Sequence, residues 1–187
     1  MDLTARLREL YKMTDEELEL SFGYFIPESL PAKSFFLKEG KVSDKLAYVR
    51  SGLLRSFIYN DNADEITTHF FVPGSVAISM DSFNKQVPAQ ENIIAVEDCE
   101  LLVITYKGMK ELQEKIPAWK QIAKDTDEYK FNQQMNRSIR FQTLSAKERY
   151  LQLMEENPEI IRRVPLKHIA SYIGIDIATL SRLRKKL

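Results

Sequence analysis

The spacing of apolar residues changes twice along this chain, and the two changes limit what it can fold into. Up to residue 30 the period is helical. Leu3, Leu7, Leu10 and Tyr11 recur at helical steps. Thr14-Asp15-Glu16-Glu17 has the form of a capping box that opens a second short helix through Leu20, and Pro27 and Pro31 stop it. From Lys33 the chain turns to short runs rich in Val, Ile, Tyr and Phe: KSFFL, LAYVR, LLRSFIY, EITTHFF, SVAIS, NIIAV and CELLVIT, seven in all, with turn residues between them. That spacing predicts an antiparallel sandwich or barrel. Met80 to Gln90 is the least regular piece and reads as a loop or a short helix.

From Tyr106 the period is helical again. Lys107 to Lys115 reads as a short helix stopped near Pro117, and a long helix is expected from Ala118 to about Phe141. Trp119, Ile122, Thr126, Tyr129, Gln133, Asn136 and Ile139 form its stripe. The stripe is too polar for an ordinary core face. It suits the seam of a helix pair from two chains, where polar interior residues set register, with a helix half exposed on its own domain as the alternative. Ser145-Ala146-Lys147-Glu148 is a second capping box, for a helix through about Glu156 that Asn157-Pro158 breaks. The expected fold class is α+β. Residues 1–116 would form a β-roll with N-terminal helices, 117–141 a dimerisation helix and 142–187 a helix-turn-helix domain.

The charge is balanced overall and segregated locally. Lysine and arginine number 27 and so do the acids, yet from Arg162 onward seven bases (Arg162, Arg163, Lys167, Arg182, Arg184, Lys185, Lys186) face one acid, Asp176. That end carries +6 and the remainder −6, which suggests a basic module for a polyanion on a body that does not meet it. Cys99 is the only cysteine, so an internal disulfide and a thiolate metal cluster are both excluded. No secretory h-region stands at the N-terminus and no run nears the ~18 apolar residues of a membrane span, so a cytoplasmic location without membrane contact is expected.

The tail HIASYIGIDIATLSRLRKKL satisfies a helix-turn-helix at several positions at once. Ala170 is the small residue where the second helix crosses the first, and Gly174 takes the positive φ of the turn. Ile169, Ile173 and Ile175 pack around it, Leu180 and Leu183 face inward, and Asp176 is the N-cap of the second helix. Ile177, Ala178, Thr179, Ser181, Arg182 and Lys185 then project outward. In such a motif the early second helix enters the major groove. Arg182 suits guanine O6 and N7, and Ile177 and Ala178 suit thymine methyls. Thr179, Ser181, Lys185 and, from the first helix, Lys167 suit phosphates. An amphipathic hairpin with a solvated basic face is the competing reading, and Arg184 and Lys186 fit it.

A roll of seven or eight strands, a long helix and a C-terminal helix-turn-helix together resemble the Crp/Fnr family of cyclic-AMP-receptor-like transcription regulators. Gly174 through Arg182 carries the likeness most strongly, and FFLKEGKVSDKLAYVRSGLLRSFI resembles the family's opening hairpins. The resemblance implies a homodimer paired through residues 118–140, a palindromic duplex site and RNA polymerase as a further partner. It also marks departures. Cyclic-nucleotide binders of the family carry a Glu and an Arg-bearing segment. Ser79 and Pro88-Ala89-Gln90 stand in their places, no arginine lies between Arg55 and Arg137, and Lys85 alone is near. Cyclic AMP is therefore not expected. If a pocket for an unknown small-molecule effector persists, family position points to Ile78, Ser79, Met80, Gln90, Glu91 and Asn92.

The cysteine quartet of the oxygen-sensing branch is missing, and a haem role would rest on His69 alone, so no cofactor, metal or catalytic residue is expected. Where the family often has Arg and Glu after the cap, this chain has Ile177 and Ala178, so its base preference should differ. Glu159 to Val164 lacks the family's glycine-containing wing hairpin, which implies a reduced wing with Arg162 and Arg163 as backbone contacts. Two other readings remain. An enzyme on a cupin-like roll would need converging histidines, and the chain has only His69 and His168. A ligand-binding or protein-interaction module without DNA binding fits the acidic body and the missing cassette.

Overall fold

The computed structural model describes residues 3–186; Met1, Asp2 and Leu187, at the ends of the first and last expected segments, lie outside the described residues. Contacts divide the chain into two compact units. One takes the residues before Arg55 together with Phe71–Lys130, the other Arg55–Phe70 and the residues from Phe131 onward.

In the first unit α1 (Leu3–Tyr11) and α2 (Asp15–Phe22) precede the strands. The Thr14 box forms as expected. Its hydroxyl accepts from the Glu17 amide and the Glu17 carboxylate accepts from the Thr14 amide. The strands are β1 (Ile26–Leu30), β2 (Phe35–Leu37), β3 (Lys45–Ser51), β4 (Leu54–Tyr59), β5 (Glu65–Phe71), β6 (Val76–Ala77), β7 (Asn92–Ala95) and β8 (Cys99–Thr105). They form two four-stranded sheets, ordered β1-β8-β3-β6 and β2-β7-β4-β5. Registers such as Ala47↔Val103 and Ala47↔Ala77 are antiparallel and put small and branched residues on one inner face. Leu37, Val49, Leu54, Phe71, Ile93 and Leu101 close into the core of the roll.

All seven strand-like runs are strands, and Met80 to Gln90 holds a short helix, α3 (Met80–Lys85). The first strand was not expected. Residues 26–30 were read as the end of a helical stretch, with Pro27 as its stop. Instead α2 ends at Phe22, and Ile26–Leu30 pairs with β8 through Pro27↔Leu102. β1 lies at the end of its sheet, where a residue without an N–H is tolerated.

Below the roll, α4 (Tyr106–Lys115) and the start of α5 (Ala118–Thr143) complete a second core with α1 and α2, built on Leu7, Leu18, Ile104, Leu112, Ile116 and Trp119. This corrects the expected seam. Trp119 is buried in that core with its indole N–H donated to Ser21 Oγ at 2.9 Å, and Ile122 packs on the same cluster. The first part of the stripe therefore belongs to its own chain. The exposed large apolar residues of α5 are Tyr129, Phe131, Met135, Ile139 and Phe141, of which Phe131, Met135 and Phe141 were not in the stripe.

One glycine of the roll makes a stability prediction. Gly52, between β3 and β4, has φ +88°, and a Cβ there would lie 2.5 Å from Asp98 O and Cys99 Sγ. The carbonyl belongs to the backbone and cannot step aside. Gly52→Ala is expected to cost about 2–3 kcal/mol, read as a Tm drop of roughly 5–10 °C. Gly40→Ala shares a positive φ but meets nothing within 4 Å, so it should cost clearly less in the same thermal melt.

Candidate nucleic-acid interface

The C-terminal helices belong to the second unit: α6 (Ala146–Glu156), α7 (Pro158–Arg163), α8 (Leu166–Ile173) and α9 (Ile177–Arg184). The Ser145 box opens α6 through the Glu148 amide and carboxylate. Glu159 to Val164, read as a short basic joint in place of a wing, is largely the helix α7. Pro158 sits at its first position, where the missing N–H costs nothing. Tyr150, Leu153, Ile160, Val164, Ile169, Ala170, Ile173 and Leu180 are all buried, so four short helices share one small core.

The turn between α8 and α9 is built as the tail predicts. Gly174 is left-handed at φ +73°, and the Ile175 amide donates back to Ala170 O at 3.0 Å. A Cβ on Gly174 would stand 2.5 Å from Phe141 Cε1, so the glycine also gives room for the ring at the end of α5. That ring lies between two guanidiniums, Arg137 at 5.2 Å and Arg149 at 4.7 Å from its centroid. Both arginines satisfy carbonyls left open by the end of α8. Arg149 Nε donates to Ile173 O at 2.9 Å and Arg137 to Tyr172 O at 3.2 Å.

Asp176 caps α9. Its carboxylate accepts the Thr179 amide at 2.7 Å and the Thr179 hydroxyl at 2.8 Å, which holds its pKa below the usual carboxylate range. Ile177, Ala178, Arg182 and Lys185 are exposed, Thr179 and Ser181 are half-buried, and Lys167 is exposed on α8. These residues thus share one short helix and the first turn of its neighbour. Thr179 departs in one respect from a free phosphate ligand. Its hydroxyl is already engaged with Asp176, and it accepts an N–H from Arg182 at 3.1 Å. Arg182 would have to leave that contact to fork onto a base. Nearby His168 is pushed down to about 4, first by burial and then by Arg55 and Lys167, so it is neutral at ordinary pH.

The six residues expected around a ligand have different surroundings. Ile78 lies in the second core of the first unit and Met80 packs against it, while Ser79 is buried at the start of α3. Asn92 is occupied by the β2–β3 turn, accepting the Glu39 amide at 3.1 Å. Gln90 is exposed and Glu91 half-buried. Lys85, the one expected counter-charge, is instead paired with Asp81 at 3.2 Å on the exposed face of α3. A cation that was not expected is Lys130 of α5. Its ammonium stands 4.4 Å from the centre of the Phe71 ring, and burial brings it down to about 8 against the pull of Glu91. Its signal was hidden because it falls off the stripe of α5. His69 is half-buried on β5, and among the described residues no group of three or more His, Cys, Asp or Glu could hold a metal ion. Among them, too, no helix is long and apolar enough to cross a membrane.

Residues 27–115 match the cyclic nucleotide-binding domain family. No curated protein matches the sequence significantly. Among solved structures the chain is similar to CLP of Xanthomonas campestris, a c-di-GMP-responsive global regulator, at 19% identity over 92% of this chain and 91% of that one, with a TM-score of 0.73. It is similar to FixK2 of Bradyrhizobium japonicum at 14% identity over 87% and 84%, TM-score 0.74. For the catabolite activator protein of Thermus thermophilus the figures are 21% identity over 97% and 85%, TM-score 0.60. The architecture implied by the Crp/Fnr resemblance, a cyclic-nucleotide-binding-like roll followed by helices, is the one observed.

Proposed function

We propose that the protein is a transcription regulator that binds a palindromic DNA site as a homodimer and is not an enzyme. The proposal assigns sensing to residues 1–116, pairing to 117–141 and DNA binding to 142–187, in a cytoplasmic protein that would also meet RNA polymerase. The observation that carries it is α9 itself. A capped helix presents Ile177, Ala178, Arg182 and Lys185 to solvent, set by a glycine turn, at the basic end of an otherwise acidic chain. Ile177, exposed at the start of this helix, is placed where it would meet a thymine methyl.

The domain family of the roll and the c-di-GMP response of CLP make nucleotides the natural effector class. Cyclic AMP itself is a poor candidate, because the loop holds no arginine and Lys85, its only cation, stands on exposed surface. Selection of bound sequences from a random duplex pool tests the reading. An inverted repeat is expected, with half-sites centred about 34 Å apart. Recovery of unselected sequence, or no salt-sensitive complex at all, would remove it.

A further inference from the structure

We propose that the β4–β5 hairpin is an autoinhibitory strap on the helix-turn-helix, one whose release strengthens DNA binding; this rests on the DNA-binding reading above. Within the second unit, Ser171 of α8 inserts its hydroxyl into the β5 backbone. It accepts the Thr67 amide at 2.9 Å and donates to Glu65 O at 3.0 Å. Arg137 of α5 fastens the same place, donating to Thr68 O at 2.6 Å and Thr67 O at 3.1 Å while it holds Tyr172 O of α8. The rings of Phe70 and Tyr172 meet at 5.0 Å between centroids. β5 is the last strand of its sheet, and an open strand edge needs cover. Here a DNA-binding helix supplies it.

Two features separate a strap from plain packing. The first is charge. Residues 55–70 carry Asp61, Asp64 and Glu65 against Arg55, a net −2, and Asp61 and Asp64 are exposed on the turn built by Asn60, whose side chain accepts the amides of Asn62 and Asp64. This acidic hairpin is fastened to α8, the helix that offers Lys167 to a phosphate. Phosphates approaching within a Debye length of about 8 Å meet like charge, and a duplex bears one charge per roughly 1.7 Å. The second feature is the fastener. Arg137 is half-buried with its Nε shielded from water, and among the described residues it has no carboxylate partner and no acceptor for that Nε. A partly desolvated cation held by carbonyls and rings but without a counter-ion regains hydration on release, so a competing interaction can open the clasp. Ser171 lies on the strapped side of α8 and is none of the proposed DNA contacts.

Two variants of the full chain test this. Ser171→Ala removes both hydroxyl bonds and keeps a strong helix former. Asp61→Asn with Asp64→Asn removes two tip charges and leaves the clasp. Hydrogen exchange at the Thr67 amide and titration with a mixed-sequence duplex at low salt are the readouts. In Ser171→Ala the Thr67 amide should exchange faster and the duplex should bind about fivefold tighter or more. The tip variant should also bind tighter, and its gain should shrink as salt rises. Unchanged Thr67 exchange in Ser171→Ala, or faster exchange without tighter binding, overturns the strap. If Ser171→Ala does not fold, the tip variant decides, and equal or weaker binding by it overturns the strap. Salt-sensitive binding by wild type with neither variant tighter overturns the strap and leaves the DNA reading standing. Failure of all three proteins to bind duplex overturns both.

Discussion

Arg182→Ala is expected to abolish discrimination at one base pair of each half-site while leaving the fold intact. Arg182 is exposed on α9, and its side chain makes one hydrogen bond among the described residues, an N–H to Thr179 Oγ1. Core packing loses nothing when it goes, because Leu180, the buried residue of this helix, is two positions away. A bidentate arginine–guanine contact contributes about 1–3 kcal/mol of discrimination, or roughly 5- to 150-fold between the right and wrong base pair. Lys185→Ala should behave differently. It removes a point charge near phosphate, so all sequences should weaken alike and the salt slope should fall by about 1. Titration of each variant against the selected site and its single-base-pair substitutions separates the two patterns. Uniform weakening by Arg182→Ala would demote it to a phosphate contact, and no change against any duplex would take α9 out of the groove.

What could be read without coordinates was what neighbours in the chain decide. Strand runs, both capping boxes, Gly174 and Asp176 all act within about four residues of themselves, and each has the expected form. Proline misled at Pro27, which was read as a helix stop and instead lies on an edge strand where no N–H is needed. At Pro158 the expected break holds, α6 ending at Glu156, and what gave no sign was that α7 begins on the proline itself. Long-range contacts gave no local sign. Ser171 looks like any polar residue on a first helix, and its partners Thr67 and Glu65 are 104 and 106 residues away. Arg137 was noted only as the arginine that ends a gap, although it joins α5, α8 and β5. The phase of α5 was misjudged because Trp119 and Ile122 pack on an N-terminal core whose position cannot be inferred from the helix alone.

That corrected phase sharpens the pairing prediction. Phe131, Met135 and Ile139 recur every fourth residue and are 63%, 48% and 50% exposed. At 100° per residue they span an arc of about 80°, the width of a seam between two helices. An exposed apolar row at this spacing marks a surface for a partner, and under the proposed function a second copy of α5 is the cover. Phe131→Asp with Ile139→Asp would place a carboxylate at each end of that seam. Each carboxylate would have to be desolvated without a partner, at a cost of several kcal/mol. Both side chains are exposed within one chain, so the melt of the isolated protomer should hardly move. Sedimentation should show a dimer for wild type and a monomer for the double variant. Affinity for the full inverted repeat should fall by about 10²- to 10⁴-fold, because the second half-site is no longer tethered, while affinity for a single half-site should be kept. A wild type that sediments as a monomer, or a double variant that still pairs, would assign this row to another partner.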